Sequence, residues 1–493
     1  MDGAFPTYQR SRRPPLSPTN PTDQHPSPFA MAAVDEKVRP HIVLFPFLAH
    51  GHAPAFLRLA GLFSARRPGL EVTLVSTPRI LGSLSLPPEA SRLRLHALHF
   101  SPADHGLPPG AHTLADVQLH QFIAFFQASE SLRPAFQQFI SGIDSPVCIV
   151  SDAFFGWTAD VARARGASHA VFLPGGAFGN AVFFSVWEHL PHAHTAADEF
   201  PLPDFPDVVH ARRDGGDPWT AFFRRVIAFC RKTDALLVNT VQELEPAGLD
   251  MLRRSLGAQT WPIGPVLAAP TPSGSLDDAG IIQWLNTHPP RSVLYISFGS
   301  QNSINADQMR ELAQGLEASG RPFLWALRPP VGFDAKDGFK PEWLPAGLEE
   351  RTARASTGML VRGWAPQVRI LAHPSTGAFL SHCGWNSILE SLSHGVPLIG
   401  WPLGAEQFFN AKLVVEWGVC VEVARGNMES SAVEKEKVTE AVRTVIGETA
   451  TGEEMRRKAA VIARTLAAAW EAPGGSAAES LEGFMISVET SVH

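Results

Sequence analysis

The sequence predicts two α/β domains of similar size, each built on a parallel sheet, with ligands held in the cleft between them. Three observations point there. Short apolar runs alternate with helix-length stretches along most of the chain, as strands joined by crossover helices do. A Pro/Gly/Ser-rich segment without periodicity, 262–275, interrupts that alternation near the middle. The length of 493 residues gives a prior of two to four domains at about 150 residues each.

Taken in order, the first thirty residues hold seven prolines and Arg10, Arg12 and Arg13 without apolar periodicity. They predict a disordered extension over 1–38, with Met31 as an alternative start. An Arg-rich, acid-poor leader also fits an organelle transit peptide, but the proline density opposes an amphipathic helix, and no secretory apolar core is present. The run 41–47 then reads as a buried strand, and Pro54 opens a helix through Leu57, Leu59, Ala60 and Phe63. Further strands are expected at 72–76, 93–100, 147–151, 170–173 and 235–239, and, past the linker, at 292–297, 323–327, 359–361, 377–380, 396–400 and 420–423. Ligands of such open sheets sit at the carboxyl ends of the strands.

Composition narrows the partners. Apolar residues make up 45% and charged residues 18%, which excludes a wholly disordered or collagen-like chain. The formal charge of −7 offers no footprint for nucleic acid or anionic lipid, so a small or neutral partner is expected. Four scattered cysteines without a CxxC pair or zinc-ligand spacing suit a reducing, cytoplasmic setting. The longest uncharged stretch, 166–187, reaches membrane-spanning length but contains His169, Pro174, Asn180 and four glycines, and reads as strand, turn and buried helix. No transmembrane span is expected.

Four segments suit chemistry. In Ala49-His50-Gly51-His52, between strand one and helix one, a histidine can serve as general base near pH 7. An exposed loop that merely tolerates histidines, or a His-x-His metal pair of a hydrolase, are the competing readings; no matching later ligand set is visible. Asp152, at a strand's carboxyl end, suits holding an imidazole in one tautomer, or equally a turn or helix cap. The turn Ser297-Phe-Gly299-Ser300 ends a strand with a close backbone approach and a hydroxyl for a phosphate oxygen, and no GxGxxG or P-loop accompanies it. Ser381-His382-Cys383-Gly384-Trp385-Asn386-Ser387 leads from a strand into a helix at 388–394, whose first amides form an anion site. Ser387-Ile-Leu-Glu390 is also a capping-box pattern that needs no ligand.

This last segment resembles the signature box of the plant secondary-product UDP-glycosyltransferases, from Trp364-Ala365-Pro366-Gln367 through His382-Cys383-Gly384-Trp385-Asn386-Ser387 and Glu390 to Glu406-Gln407. Its 44 residues have the family's spacing, and the resemblance runs from Pro40 to about Ser487. It implies the GT-B fold: two Rossmann-like, doubly wound parallel-sheet domains facing across a cleft. An acceptor-binding domain would span 39–258, a linker 259–278 and a UDP-sugar-binding domain 279–470, with a C-terminal helix in 471–493 crossing back to the first.

The activity implied is inverting, metal-independent transfer of a sugar, glucose by the terminal Gln407, from UDP-sugar to a hydroxyl or carboxyl of a small lipophilic plant metabolite. His52 would remove the acceptor proton and Asp152 steady the imidazolium. Trp364 would stack on uracil, the Ala365 backbone bond its edge, and Gln367 and Glu390 hold ribose hydroxyls. Ser300, His382, Asn386 and Ser387 would hold the diphosphate, with Gly384 and Trp385 in the same site, and Glu406 and Gln407 would bind the sugar. UDP-glucose is a co-substrate; no cofactor, metal or nucleic acid is implied, and the chain is expected to be a monomer.

Two departures stand out. Gly175 replaces the Ser or Thr that relatives often carry near the sugar's 6-hydroxyl, and His50 replaces a common Gln. The stretches 122–126, 154–157, 178–187 and 201–217 are expected to line the acceptor, with Phe154, Trp157 and Phe178 as contacts. Their aromatic content suits a flavonoid, other phenolic, terpenoid or hormone. A catalytically silent UDP-sugar-binding protein and a metal-dependent hydrolase using His50 and His52 are the alternatives.

Overall fold

The computed structural model describes residues 40–86, 93–144, 146–191, 199–201, 208–210, 217–267, 276–333, 338–426, 432–471 and 473–490. The expected extension over 1–38 lies outside them, as do 268–275 of the expected linker and most of the acceptor stretch 201–217.

The first half contains β1 (His41–Phe45), β2 (Glu71–Ser76), β3 (Leu93–Ala97), β4 (Pro146–Asp152), β5 (Ser168–Leu173), β6 (Glu199–Pro201), β7 (Val208–His210), β8 (Ala235–Val238) and β9 (Gln259–Pro262). Seven of these form a parallel sheet in the order β3-β2-β1-β4-β5-β8-β9, while β6 and β7 pair antiparallel. The second half contains β10 (Val293–Ser297), β11 (Phe323–Leu327), β12 (Gly358–Arg362), β13 (Thr376–Ser381), β14 (Leu398–Gly400) and β15 (Cys420–Glu422). They form a second parallel sheet, β12-β11-β10-β13-β14-β15.

Both orders are doubly wound, so the strand order reverses beside β1 and β4 in one sheet and beside β10 and β13 in the other. Crevices open at the carboxyl ends of such strand pairs because their crossover helices depart to opposite faces. Both sheets are covered on both faces, which is why their strands read as unbroken apolar runs. In β1 the sides alternate: Val43 and Phe45 join one core, Ile42 and Leu44 another.

The last helix, Ser476–Thr490, docks on the first sheet, not the second. Leu481, Phe484, Met485 and Val488, spaced for one helix face, are buried with Ile42, Leu44, Phe172 and Leu237. Arg67 clamps the outside, donating to Glu482 at 2.6 and 3.0 Å and to Glu489 at 2.9 Å.

Three boundaries differ from expectation. The linker expected from 259 begins inside β9, because Gln259–Pro262 finds a free edge on β8 and extends the sheet. Its other end, 276–278, already belongs to the helix Leu276–Asn286. The strand expected over 93–100 stops at Ala97, after which Leu98 and Phe100 are buried as loop residues. Among the described residues no helix is long and apolar enough to cross a membrane.

Candidate active site

The residues that close β1 and β4 meet first, because those strands are neighbours with Phe45 opposite Ser151. After β1 the chain stays buried through Ala49, exposes His50, and places His52 immediately before the helix Ala53–Arg66, with Pro54 in its first turn. Asp152 ends β4 at 1% exposure, and its Oδ1 accepts the Phe154 N–H at 3.2 Å. Its Oδ2 accepts a hydrogen bond from His52 Nδ1 at 2.5 Å. A carboxylate can only accept, so Nδ1 bears the hydrogen; in the neutral ring Nε2 then presents a lone pair, with no hydrogen-bond partner among the described residues. Burial opposes charging His52, but the charge and hydrogen bond of Asp152, joined by the charge of Glu406, outweigh it and raise the pKa above 6.5.

Aromatic rings surround this pair. Phe47 and Phe154 flank the His52 ring at 6.0 and 6.1 Å between centroids. From Phe154 the cluster continues through Phe126, Phe222 and Phe223, and from Phe223 to Phe183 and Trp187. Phe222 and Phe223, 2% and 4% exposed, back Phe154 from within the core and lie just past the acceptor stretch expected to end at 217. The sequence signals them: Trp219, Phe222, Phe223 and Val226 share one face of the helix Asp217–Cys230. Trp157 does not join this wall. At 2% exposure it packs on Phe45, Phe136 and Phe155, not on Phe154, and the acceptor contact expected of it is corrected to a core role. Phe178 is 9% exposed at the start of the helix Ala177–His189, where Glu245 accepts the N–H groups of Ala177 and Phe178 at 3.0 and 2.8 Å.

The second sheet repeats the arrangement, with Ser297 of β10 opposite Ser381 of β13. Beyond β10, Gly299 adopts φ +78° and packs on the His382 ring, and Ser300 follows half-buried. Beyond β13, His382 is buried, its Nδ1 has no partner among the described residues, and burial holds its pKa down at about 4, so it is neutral near pH 7. Cys383 turns through φ +63° into the helix Trp385–Ser393, whose N-cap is Gly384. The N–H groups of Trp385, Asn386 and Ser387 precede the first intrahelical bond, Ile388 N to Gly384 O, and have no hydrogen-bond partner among the described residues, an arrangement that suits an anion.

Nearby, Gln367 Nε2 donates to Glu390 at 2.7 Å and Ser387 Oγ at 3.2 Å, while its Oε1 accepts from Tyr295. Burial pushes the Glu390 carboxyl up to about 7. Trp364 stands 78% exposed, a large apolar ring without a cover.

Comparison with known proteins identifies this geometry. Residues 278–461 match the family model for UDP-glucoronosyl and UDP-glucosyl transferase. UDP-glycosyltransferase 92A1 of Arabidopsis thaliana is 39% identical over 472 residues, covering 90% of this chain and 96% of its own. The chain belongs to the plant UDP-glycosyltransferases. Crocetin glucosyltransferase 3 of Crocus sativus is 42% identical over 433 residues, covering 80% and 89%. The structure of Glycyrrhiza uralensis UGT73P12 complexed with glycyrrhetinic acid 3-O-monoglucuronide superposes with a TM-score of 0.81 at 28% identity, over 92% of this chain and 96% of that one. The fold is therefore GT-B and the protein is a UDP-glycosyltransferase.

In this glycosyltransferase several signature side chains face the other half of the molecule. Asn386 Nδ2 donates to the Gly51 carbonyl at 2.9 Å, one residue before His52. Trp385 Nε1 donates to the carbonyl of Asn239 at 2.6 Å, and its ring lies where a Cβ on Gly176 would fall at 2.9 Å. One of the two Asn386 amide hydrogens is thus given to Gly51, and the second, with the backbone N–H, is left for a ligand. Ser387 lies inside the helix, not at its cap, so the capping-box alternative is corrected too. Gln407 Oε1 accepts the Leu403 and Gly404 N–H groups at 3.0 and 3.1 Å, leaving its NH2 for a sugar. At Gly175 a Cβ would fall 2.6 Å from Asn180 Nδ2, so that amide fills the space a side chain there would take.

Among the described residues no group of three or more His, Cys, Asp or Glu side chains is placed to hold a metal ion.

The glycines around His382 allow a prediction. A Cβ on Gly384 would fall 2.5 Å from His382 Nε2, while the backbone there, φ −63° and ψ 139°, suits any residue. Gly384→Ala should therefore push the imidazole aside without backbone strain and raise the KM for UDP-sugar about ten-fold, an overpacking effect of about 1–3 kcal/mol. Initial rates against donor concentration test it, and an unchanged KM would remove His382 from the donor site.

Proposed function

We propose that this enzyme transfers glucose from UDP-glucose, with inversion and without a metal ion, to a hydroxyl or carboxyl oxygen of a small, flat, lipophilic metabolite such as a flavonoid, other phenolic or terpenoid. The observation that supports it most is the His52–Asp152 contact of 2.5 Å at one switch point, tied by Asn386 to the helix start at the other. His52 Nε2 takes the acceptor proton. The acceptor oxygen attacks the anomeric carbon from the face opposite UDP, and the bond from that carbon to the diphosphate oxygen breaks. The pair of charges so created is met at both ends: Asp152 stabilises the imidazolium, and the N–H groups of Trp385, Asn386 and Ser387, with His382, receive the diphosphate.

Trp364 stacks on uracil, the Ala365 N–H bonds its edge, and Gln367 with Glu390 takes ribose hydroxyls. Ser300 adds a hydroxyl to the diphosphate, and Glu406 and the Gln407 amide bind the sugar. The ring cluster from Phe154 to Trp187 supports a flat aglycone, whose aromatic face it matches. Free Cys148, Cys230, Cys383 and Cys420 suit a cytoplasmic enzyme.

Mass spectrometry of reactions with UDP-glucose and a panel of flavonoid, phenolic and terpenoid acceptors, with EDTA present, tests this reading. A gain of about 162 Da on one acceptor class, undiminished by EDTA, is the expected result. Loss of product on chelation would overturn the metal-free mechanism, and UDP-glucose binding without turnover on any acceptor would favour a silent binding protein.

A further inference from the structure

We propose that Arg328 is a cationic contact for the diphosphate of the UDP-sugar, an inference that rests on the donor site described above. The groups assigned to the diphosphate so far lack a full positive charge. His382 is held neutral, and a helix start contributes about half a charge. Departure of UDP adds a negative charge to that position, so a cation there is worth more in the transition state than in the ground state.

Arg328 is placed to be that cation. It follows β11, the neighbour of β10, so it emerges at the same carboxyl edge as Gly299 and Ser300. Its Nη1 donates to the Gly299 carbonyl at 3.3 Å, and Gly299 lies against the His382 ring. Its charge also reaches His50: the positive charges of Arg328 and Arg79 help burial, the larger influence, to hold the His50 pKa down against Asp116. The guanidinium is therefore anchored on the turn that covers His382, and its charge is felt at the loop that carries the base.

Its charge is also unspent. Arg67 and Arg351 reach Glu482 and Glu317. Among the described residues no carboxylate pairs with half-buried Arg328, and burial depresses its pKa. A desolvated guanidinium whose protein contact is one carbonyl has unused donors, and its fork matches phosphate oxygens.

Calorimetric titration of UDP and of uridine into the full chain separates the possibilities. Arg328→Gln should weaken UDP about ten-fold or more, the range of one charged hydrogen bond, leave uridine within about two-fold, and flatten the salt dependence of UDP binding; Arg328→Lys should recover part of the loss. Unchanged UDP binding, or equal weakening of UDP and uridine, would overturn the proposal. Trp364→Ala serves as the control for the donor site itself and should weaken both ligands alike. A wild type that binds neither ligand, or a Trp364→Ala that binds both normally, would bring down the donor-site reading instead.

Discussion

Replacing His52 by alanine is expected to lower kcat about a thousand-fold, within the range general-base catalysis supplies, and to change the KM for UDP-glucose little. The proton on an acceptor hydroxyl has to leave as the new bond forms, and Nε2 of His52 is the lone pair the fold presents at the carboxyl edge of the first sheet. Its orientation is fixed three times over: by Asp152 on Nδ1, by Phe47 and Phe154 on the ring, and by Asn386 on the preceding carbonyl. None of these contacts is made to Trp364, Gln367 or Glu390, which is why donor affinity should survive. Rates at saturating acceptor and donor, followed by chromatography, decide it. Activity retained within about ten-fold would move the base elsewhere, with neighbouring His50 as the next candidate, so His50→Ala belongs in the same experiment.

The second large effect is expected at Asp152. Because His52 must be neutral to accept a proton, activity rises with pH as the imidazolium deprotonates and then levels off. In the wild type that rise is displaced upward, since Asp152 and Glu406 raise the His52 pKa against burial. Asp152→Asn removes the larger of these two supports. The acid limb should move to lower pH, while the plateau falls about 10²- to 10⁴-fold as the imidazolium loses its counter-charge and the amide permits the wrong tautomer. A kcat profile from about pH 5 to 9 shows both movements, which run in opposite senses: a wider working range and a lower rate. An acid limb that moves upward, or a plateau that is kept, would refute the assigned roles. The pair also contributes to stability. With a folded pKa above 6.5, that contribution is complete below pH 6.5 and is lost as pH rises through the folded value.

Much of the fold was legible because parallel strands buried on both faces leave a coarse signal. Runs such as Ile42-Val43-Leu44-Phe45 and Val293-Leu294-Tyr295-Ile296 need no knowledge of their partners to be read as strands. The position of His52 and Asp152 at strand ends was legible for the same reason; that they touch was not, since it depends on β1 and β4 being neighbours across a hundred residues of chain. Side-chain direction was the weakest point. Trp157 follows Phe154 by three residues and differs from it in facing the core, and no local pattern separates the two. Asn386 directs one amide hydrogen to a carbonyl 335 positions away. Arg328, Tyr295, Asn239 and Glu245 escaped notice because each acts through a tertiary neighbour, without a motif of its own.

The docking of the helix Ser476–Thr490 on the first sheet bears on how such enzymes can be recombined. A chimera that exchanges halves with a relative at a single cut near 263–275 would mate the first sheet with a foreign terminal helix, replacing Leu481, Phe484, Met485 and Val488 together with both carboxylate partners of Arg67. The chain passes between the two halves twice, so the modular unit is discontinuous. Grafting this first half onto another donor-binding half calls for a second junction, just ahead of Ser476, and the fifteen-residue helix Ser476–Thr490 travels with a sheet that the chain finished more than two hundred residues earlier.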